Sequence, residues 1–82
     1  MNRLEIEYPC TWSYRVIGTD EKSLRQAISE CVEGREYKVS LSSSSSSGKY
    51  FSLTLETIVH SEEERVSTYH SLVRHPVVKI VL

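Results

Sequence analysis

Residues 11–34 read TWSYRVIGTDEKSLRQAISECVEG, and inside this stretch the apolar period changes from two to about 3.6. Trp12, Tyr14 and Val16 alternate with Ser13 and Arg15 over 11–17, the pattern of a half-buried strand. Gly18 breaks it. Thr19 or Asp20 is placed to cap a helix, with Asp20 and Glu21 against the positive end of its dipole. Leu24, Ala27, Ile28, Cys31 and Val32 then follow the spacing i, i+3, i+4, i+7, i+8 of an amphipathic helix. Gly34 stands where such a helix ends, because glycine accepts a left-handed backbone without steric cost.

The same alternation of patterns continues outward. Residues 1–10 form an arm that ends near Pro9, a residue suited to the start of a strand. Tyr37, Val39 and Leu41 alternate with Lys38 and Ser40 in a second strand, followed by the serines Ser42 to Ser47 and Gly48. A third strand covers Tyr50 to Val59, with Phe51, Leu53 and Leu55 on one face and Tyr50, Ser52, Thr54 and Glu56 on the other. Ser61 and Glu64 make a capping box ahead of a helix whose predicted buried stripe is Val66, Tyr69, Leu72 and Val73. Pro76 stops that helix, and Val77 to Leu82 is the predicted last strand.

The order is βαββαβ. Right-handed crossovers and one apolar face per strand place both helices on the same side of one sheet. The solution is an α+β, ferredoxin-like two-layer sandwich with an antiparallel sheet in the order 4-1-3-2. Residues 1–82 read as a single domain, with the 1–10 arm and a flexible serine-rich hairpin loop over 42–48. A chain of 82 residues has a thin core, burying about 60–65% of its unfolded surface.

Composition narrows the function. Hydrophobic residues at 39% and charged residues at 26% suit a soluble globular domain. A net charge of -1 lacks the basic excess that nucleic-acid binding needs. Cys10 and Cys31 are too few for a disulfide framework and have no CxxC spacing, so they read as free thiols of a reducing cytosol. No apolar run approaches the ~20 residues of a membrane span, and Met1 to Glu7 lacks the order of a secretion signal. The expected location is cytoplasmic.

Several fragments of chemistry lead nowhere. Ser47-Gly48-Lys49 resembles the end of a phosphate loop, but the earlier glycine is missing and a strand follows where a helix should. His60, His70 and His75 lack the spacing of three or four that paired helical ligands require. His60 and His75 read as surface residues, and no metal or other cofactor is expected. No strained G-x-S-x-G turn accompanies the serines. Cys31 falls on the buried stripe, where a thiol behaves as a small hydrophobe. Nor does the open sheet face carry the aromatic pair on which RNA-binding sandwiches stack bases.

Charge, however, is segregated. Residues 20–36 hold five acids and three bases, and 61–75 hold three acids and two bases. By alternation, the open face of the sheet carries Arg15, Lys38 and Lys79, with Lys49 at its edge, against Glu56 alone. Such a face suits an acidic partner or a small anion. Tyr50 and Ser52 point to the same face. The candidate binding residues are therefore Arg15, Lys38, Tyr50, Ser52 and Lys79, with Tyr50 ranked first.

Trp12 to Gly18, read as aromatic-x-Tyr-basic-Val-hydrophobic-Gly, resembles the opening of the small bacterial YbeD-like family of unknown function. Ser46-Ser47-Gly48-Lys49-Tyr50-Phe51-Ser52 is similar to that family's Ser-x-Gly-x-Tyr-x-Ser segment. Tyr69, Leu72 and the ending Val78 to Leu82 fit its tyrosine-containing helix and terminal strand. The chain departs from the family in its serine run and in Trp12, where phenylalanine is usual. The resemblance implies a fold like that of ACT-type regulatory domains, which bind amino acids at subunit interfaces, and no established enzymatic activity.

Taken together, the expectation is a non-enzymatic regulatory or adaptor module. It would bind a protein partner through the open sheet face or by adding a strand at a sheet edge. The alternative is an ACT-like sensor that binds a small metabolite at a homodimer interface, with Gly18-Thr19-Asp20 as its loop. Neither nucleic acid nor membrane is expected as a partner.

Overall fold

The computed structural model describes residues 6–44 and 48–82. The flexible-loop reading of Ser45 to Ser47, and the first half of the arm, lie outside the described residues. The elements are β1 (Cys10–Gly18), α1 (Glu21–Cys31), β2 (Tyr37–Ser44), β3 (Phe51–Val59), α2 (Glu62–Arg74) and β4 (Ile80–Val81). The four strands form one antiparallel sheet in the order β2-β3-β1-β4, the predicted order read from the other edge. β1 and β3 pair along their full lengths, from Cys10 opposite Val59 to Gly18 opposite Phe51.

The core lies between the sheet and the helices. Tyr14 and Val16 of β1, Leu53 and Leu55 of β3, Leu24, Ala27 and Ile28 of α1, Val32 just beyond it, and Leu72 of α2 are all buried. α1 follows its predicted periodicity, although Cys31 is only half-buried. Asp20 is its N-cap, accepting from the Ser23 N–H at 2.9 Å and the Ser23 hydroxyl at 2.6 Å. Those two bonds hold the Asp20 carboxyl below its usual value.

α2 departs from its predicted face. Thr68 and Leu72 are buried, while Val66, Tyr69 and Val73 are 37%, 40% and 45% exposed. The reason is polar. The Tyr14 phenol, buried on the core face of β1, donates to the Arg65 carbonyl at 2.6 Å. Arg35 donates to the Thr68 hydroxyl at 2.9 Å, and Thr68 donates in turn to the Glu64 carbonyl at 2.8 Å. Turning α2 to bury Val66 and Tyr69 would strand these groups, and an unpaired buried polar group costs about 1–3 kcal/mol. The capping box is also displaced by one residue. Ser61 accepts from the Glu64 N–H as expected, but the Glu64 carboxylate reaches the His60 N–H rather than that of Ser61.

The last strand is shorter than predicted. Residues 75–77 turn after α2, with the Val78 N–H bonded to the His75 carbonyl, so only Ile80–Val81 joins the sheet. β2 is an edge strand whose inward residues Tyr37 and Leu41 remain exposed, with Val39 half-buried. β3 begins at Phe51, leaving Tyr50 just outside it. Gly18 serves a close approach rather than a turn: a Cβ there would lie 2.7 Å from Leu24 Cδ2 and 2.7 Å from the Val77 carbonyl oxygen. Gly48 and Gly34 do have positive φ, at 73° and 83°.

Candidate functional site

The five candidate residues do not converge. Arg15 is exposed on the open face, opposite Thr54 of β3. Lys38 is exposed on the far edge strand, opposite Glu56, which offsets its charge. Ser52 is corrected from exposed to buried: it stands between Ile17 and Ser43 in one row of the sheet, and its hydroxyl has no hydrogen-bond partner among the described residues. Tyr50 is half-exposed beside the start of β3. Lys79 is exposed but precedes β4, so strand alternation does not carry it onto the open face; its N–H donates to the Ile17 carbonyl at 2.8 Å. The histidines are partly corrected too. His75 is half-buried, its Nε2 3.0 Å from Glu30 Oε1, whereas His60 is exposed beside Glu64. Among the described residues, no group of three His, Cys, Asp or Glu is placed to hold a metal ion. Both cysteines are free, and burial pushes the Cys31 thiol up.

Arg15 acquires its setting from the short β4. Val81 and Ile80 pair with Val16 and Ile17, and Leu82 exchanges two backbone bonds with Arg15, at 3.0 and 2.8 Å. In an antiparallel strand alternate residues send their backbone groups the same way. Thr11 and Ser13 therefore direct their N–H and C=O toward the side where β4 would continue. Among the described residues, none pairs with them there.

A hollow opens on each face of the sheet at this half of β1. The one on the helix side, about 240 Å³, is walled by Trp12, Arg65, Val66, Tyr69 and Leu82. The one on the open face, about 250 Å³, is walled by Ser13, Arg15, Thr54 and Leu82. Arg65 lies over the Trp12 ring at 4.6 Å, and its Nε donates to the Tyr8 hydroxyl at 3.2 Å. That bond pushes the Arg65 guanidinium up, keeping it charged. One guanidinium thus flanks the strand edge on each face, and among the described residues no acidic side chain lines either hollow.

Sequence reasoning missed Arg65, Tyr69 and Leu82 as members of a site. Trp12 is half-buried and packs against the core.

A family model described as "Protein of unknown function (DUF493)" matches residues 4–82. The chain is similar to "Uncharacterized protein Cj0253" of Campylobacter jejuni, 37% identical over 68 residues, 83% of this chain and 78% of that protein. The solution structure of protein HP0495 from Helicobacter pylori aligns at a TM-score of 0.84 and 27% identity, over 98% of this chain and 88% of that one. The ACT domain from GTP pyrophosphokinase of Chlorobium tepidum aligns at 0.68 and 14% identity, over 90% and 96%. That last likeness concerns the fold alone.

Proposed function

This chain belongs to the DUF493 family of proteins of unknown function, and from that premise we propose a non-catalytic regulatory or adaptor module that binds an extended, acidic segment of a protein partner. The segment adds to the sheet beside Thr11 and Ser13. The observation that supports this reading is the outward backbone of Thr11 and Ser13, which no described residue pairs with, beside a hollow on each face. Strand addition draws affinity from main-chain bonds and specificity from side chains that alternate between the two faces. An apolar side chain enters the hollow at Trp12, Val66 and Tyr69, and an acidic one meets Arg15. Lys38 is remote from this edge, and Ser52 is covered.

The alternative, a metabolite sensor with its loop at Gly18-Thr19-Asp20, has less support. Both Asp20 bonds already go to Ser23, and Gly18 is backed by Leu24 and Val77. A cytoplasmic setting belongs to the proposal.

The test is titration of the ¹⁵N-labelled protein with short peptides that alternate Glu and Val. The amides of Thr11, Ser13 and Arg15 should move together. Ser13→Pro removes only the outward donor and should abolish the response, since an edge position tolerates proline. Arg15→Ala should weaken binding about tenfold or more, the loss of one charge-assisted contact. A peptide that shifts other amides, or binds Ser13→Pro unchanged, overturns the reading.

A further inference from the structure

The outward ladder of β1 is short, and its two ends differ. At one end Arg15 is already paired with Leu82. Ser13 and Thr11 carry the next outward N–H and C=O groups, because outward groups recur at every second residue. Pro9, two residues before Thr11, has no N–H to give. A segment laid between Leu82 and Pro9 therefore makes main-chain bonds at Ser13 and Thr11 and finds no donor beyond them. Arg65 stands at that second end. Its guanidinium lies over the Trp12 ring at 4.6 Å, and its Nε donates to the Tyr8 hydroxyl at 3.2 Å. Among the described residues no carboxylate makes an ion pair with it; Glu62, a turn earlier on α2, acts at longer range. The half-buried guanidinium borders the helix-side hollow, so its terminal nitrogens can meet an anion placed there.

We propose that the segment added to this edge is the C-terminal tail of the partner protein, antiparallel to β1, with its terminal carboxylate held by the Thr11 N–H and the Arg65 guanidinium. The inference rests on the strand-addition reading and names the part of the partner that binds. In an antiparallel ladder the residues opposite Thr11 and Ser13 each exchange two bonds with them. The last residue, opposite Thr11, turns one carboxylate oxygen to the Thr11 N–H. Its other oxygen points onward, toward Tyr8 and Arg65. The penultimate side chain falls opposite Trp12, on the helix side, beside Val66 and Tyr69. The side chain before it falls opposite Ser13, on the open face, next to Arg15. The chemistry recognised is thus a chain end, an apolar penultimate residue and an acidic residue before that. A tail is favoured over an internal segment because it stops where the ladder stops. It also brings to that end a carboxylate, the planar anion that a guanidinium binds best.

The test titrates the ¹⁵N-labelled full chain with two isomeric peptides. One is acetyl-Gly-Gly-Glu-Val-Asn with a free C-terminal carboxylate; the other is acetyl-Gly-Gly-Glu-Val-Asp with a C-terminal amide. They have the same atoms and the same charge, and differ in whether the last carboxylate belongs to the main chain or to a side chain. Both should move the Thr11 and Ser13 amides, and the free acid should bind about tenfold tighter or more. Arg65→Gln should bring the two affinities together, and it leaves in place the Arg65 carbonyl that accepts from Tyr14. Arg15→Gln should weaken both isomers and keep their ratio. The wild-type comparison needs no variant and decides the matter even if Arg65→Gln is destabilised. Equal affinities in wild type, a ratio that survives Arg65→Gln, or a ratio lost with Arg15→Gln instead would overturn the inference and leave the strand-addition reading standing. If neither isomer shifts the Thr11 and Ser13 amides while the alternating Glu and Val peptides do, the inference alone falls. If no peptide shifts them, the strand-addition reading falls and the inference with it.

Discussion

Replacing Gly18 by alanine tests whether the join between β1, α1 and the segment before β4 is as tight as the structure shows. The added methyl would lie 2.7 Å from Leu24 Cδ2, 3.1 Å from Leu24 Cγ and 2.7 Å from the Val77 carbonyl oxygen. Favourable carbon contacts begin near 3.5 Å, so about 0.7 Å of movement or more is needed. Leu24 is fully buried and cannot swing into solvent. The Val77 carbonyl is main chain, between the His75–Val78 bond and the Lys79–Ile17 bond, so it moves only with the turn. Overpacking of this kind costs about 1–3 kcal/mol, and two blocked directions argue for about 2–3. The reduced freedom of the unfolded chain returns about 0.5–1 kcal/mol. The net loss is about 1–2.5 kcal/mol, which lowers the Tm of a domain this size by roughly 4–20 °C. Urea denaturation should show a lower midpoint with an unchanged slope. Gly34 is the control: its φ is 83° and nothing lies within 4 Å of its missing Cβ. Gly34→Asn should therefore be nearly neutral, because asparagine tolerates that backbone, while Gly18→Asn should be worse than Gly18→Ala. A Gly18→Ala protein within about 0.5 kcal/mol of wild type would refute the close-approach argument.

Tyr14→Phe removes the bond to the Arg65 carbonyl and should cost about 1–1.5 kcal/mol in urea denaturation at neutral pH. Burial pushes the Tyr14 phenol above 10.0, against the pull of the Thr68 hydroxyl, Arg35 and Arg65. The unfolded chain therefore loses its proton first: the contribution is intact below pH 10.0 and disappears as pH rises through the folded value, so Tyr14→Phe should flatten the alkaline limb of stability against pH. Glu64 is held below 4.5 by the His60 N–H first and the His60 ring second. Its contribution is present above 4.5 and lost as pH falls through the folded value, so Glu64→Gln should reduce the acid-side slope in a urea series. Arg35→Ala removes the donor to the Cys31 carbonyl and to Thr68, and should cost about 1.5–3 kcal/mol by the same assay.

Much of the architecture was legible because the deciding patterns are geometric. Leu24, Ala27, Ile28 and Val32 are fully buried because a 3.6-residue period laid on a flat sheet leaves them no other place. The strand order followed from crossover handedness and from the apolar character of β1 and β3. The candidate site was less legible, since it depends on where strands stop. Arg15 was found by alternation, but its importance comes from Leu82 being the last residue to pair with β1 on that side among those described. Lys79 was misplaced by extending the alternation through a turn. Ser52 has the correct parity for the open face yet is covered, and parity says nothing of what neighbouring rows cover. Arg65 carried no signal at all, because its role depends on the Trp12 ring and Tyr8 meeting it from distant parts of the chain.

α2 shows why an apolar pattern alone could not assign the faces. Its apolar residues span an arc of about 120°, from Leu72 through Tyr69 to Val73 and Val66, whereas a helix on one side of a two-layer sandwich turns only part of that arc inward. Which part is decided by polar groups. Tyr14, Arg35 and Thr68 must be satisfied together, and a single rotation of α2 does so, with Leu72 inside and the two valines and Tyr69 outside. The sequence pattern counts how much of the helix avoids water but not which neighbour does the covering. Here one edge of the stripe is covered by this chain's own sheet. The other edge, Val66, Tyr69 and Val73, stays exposed.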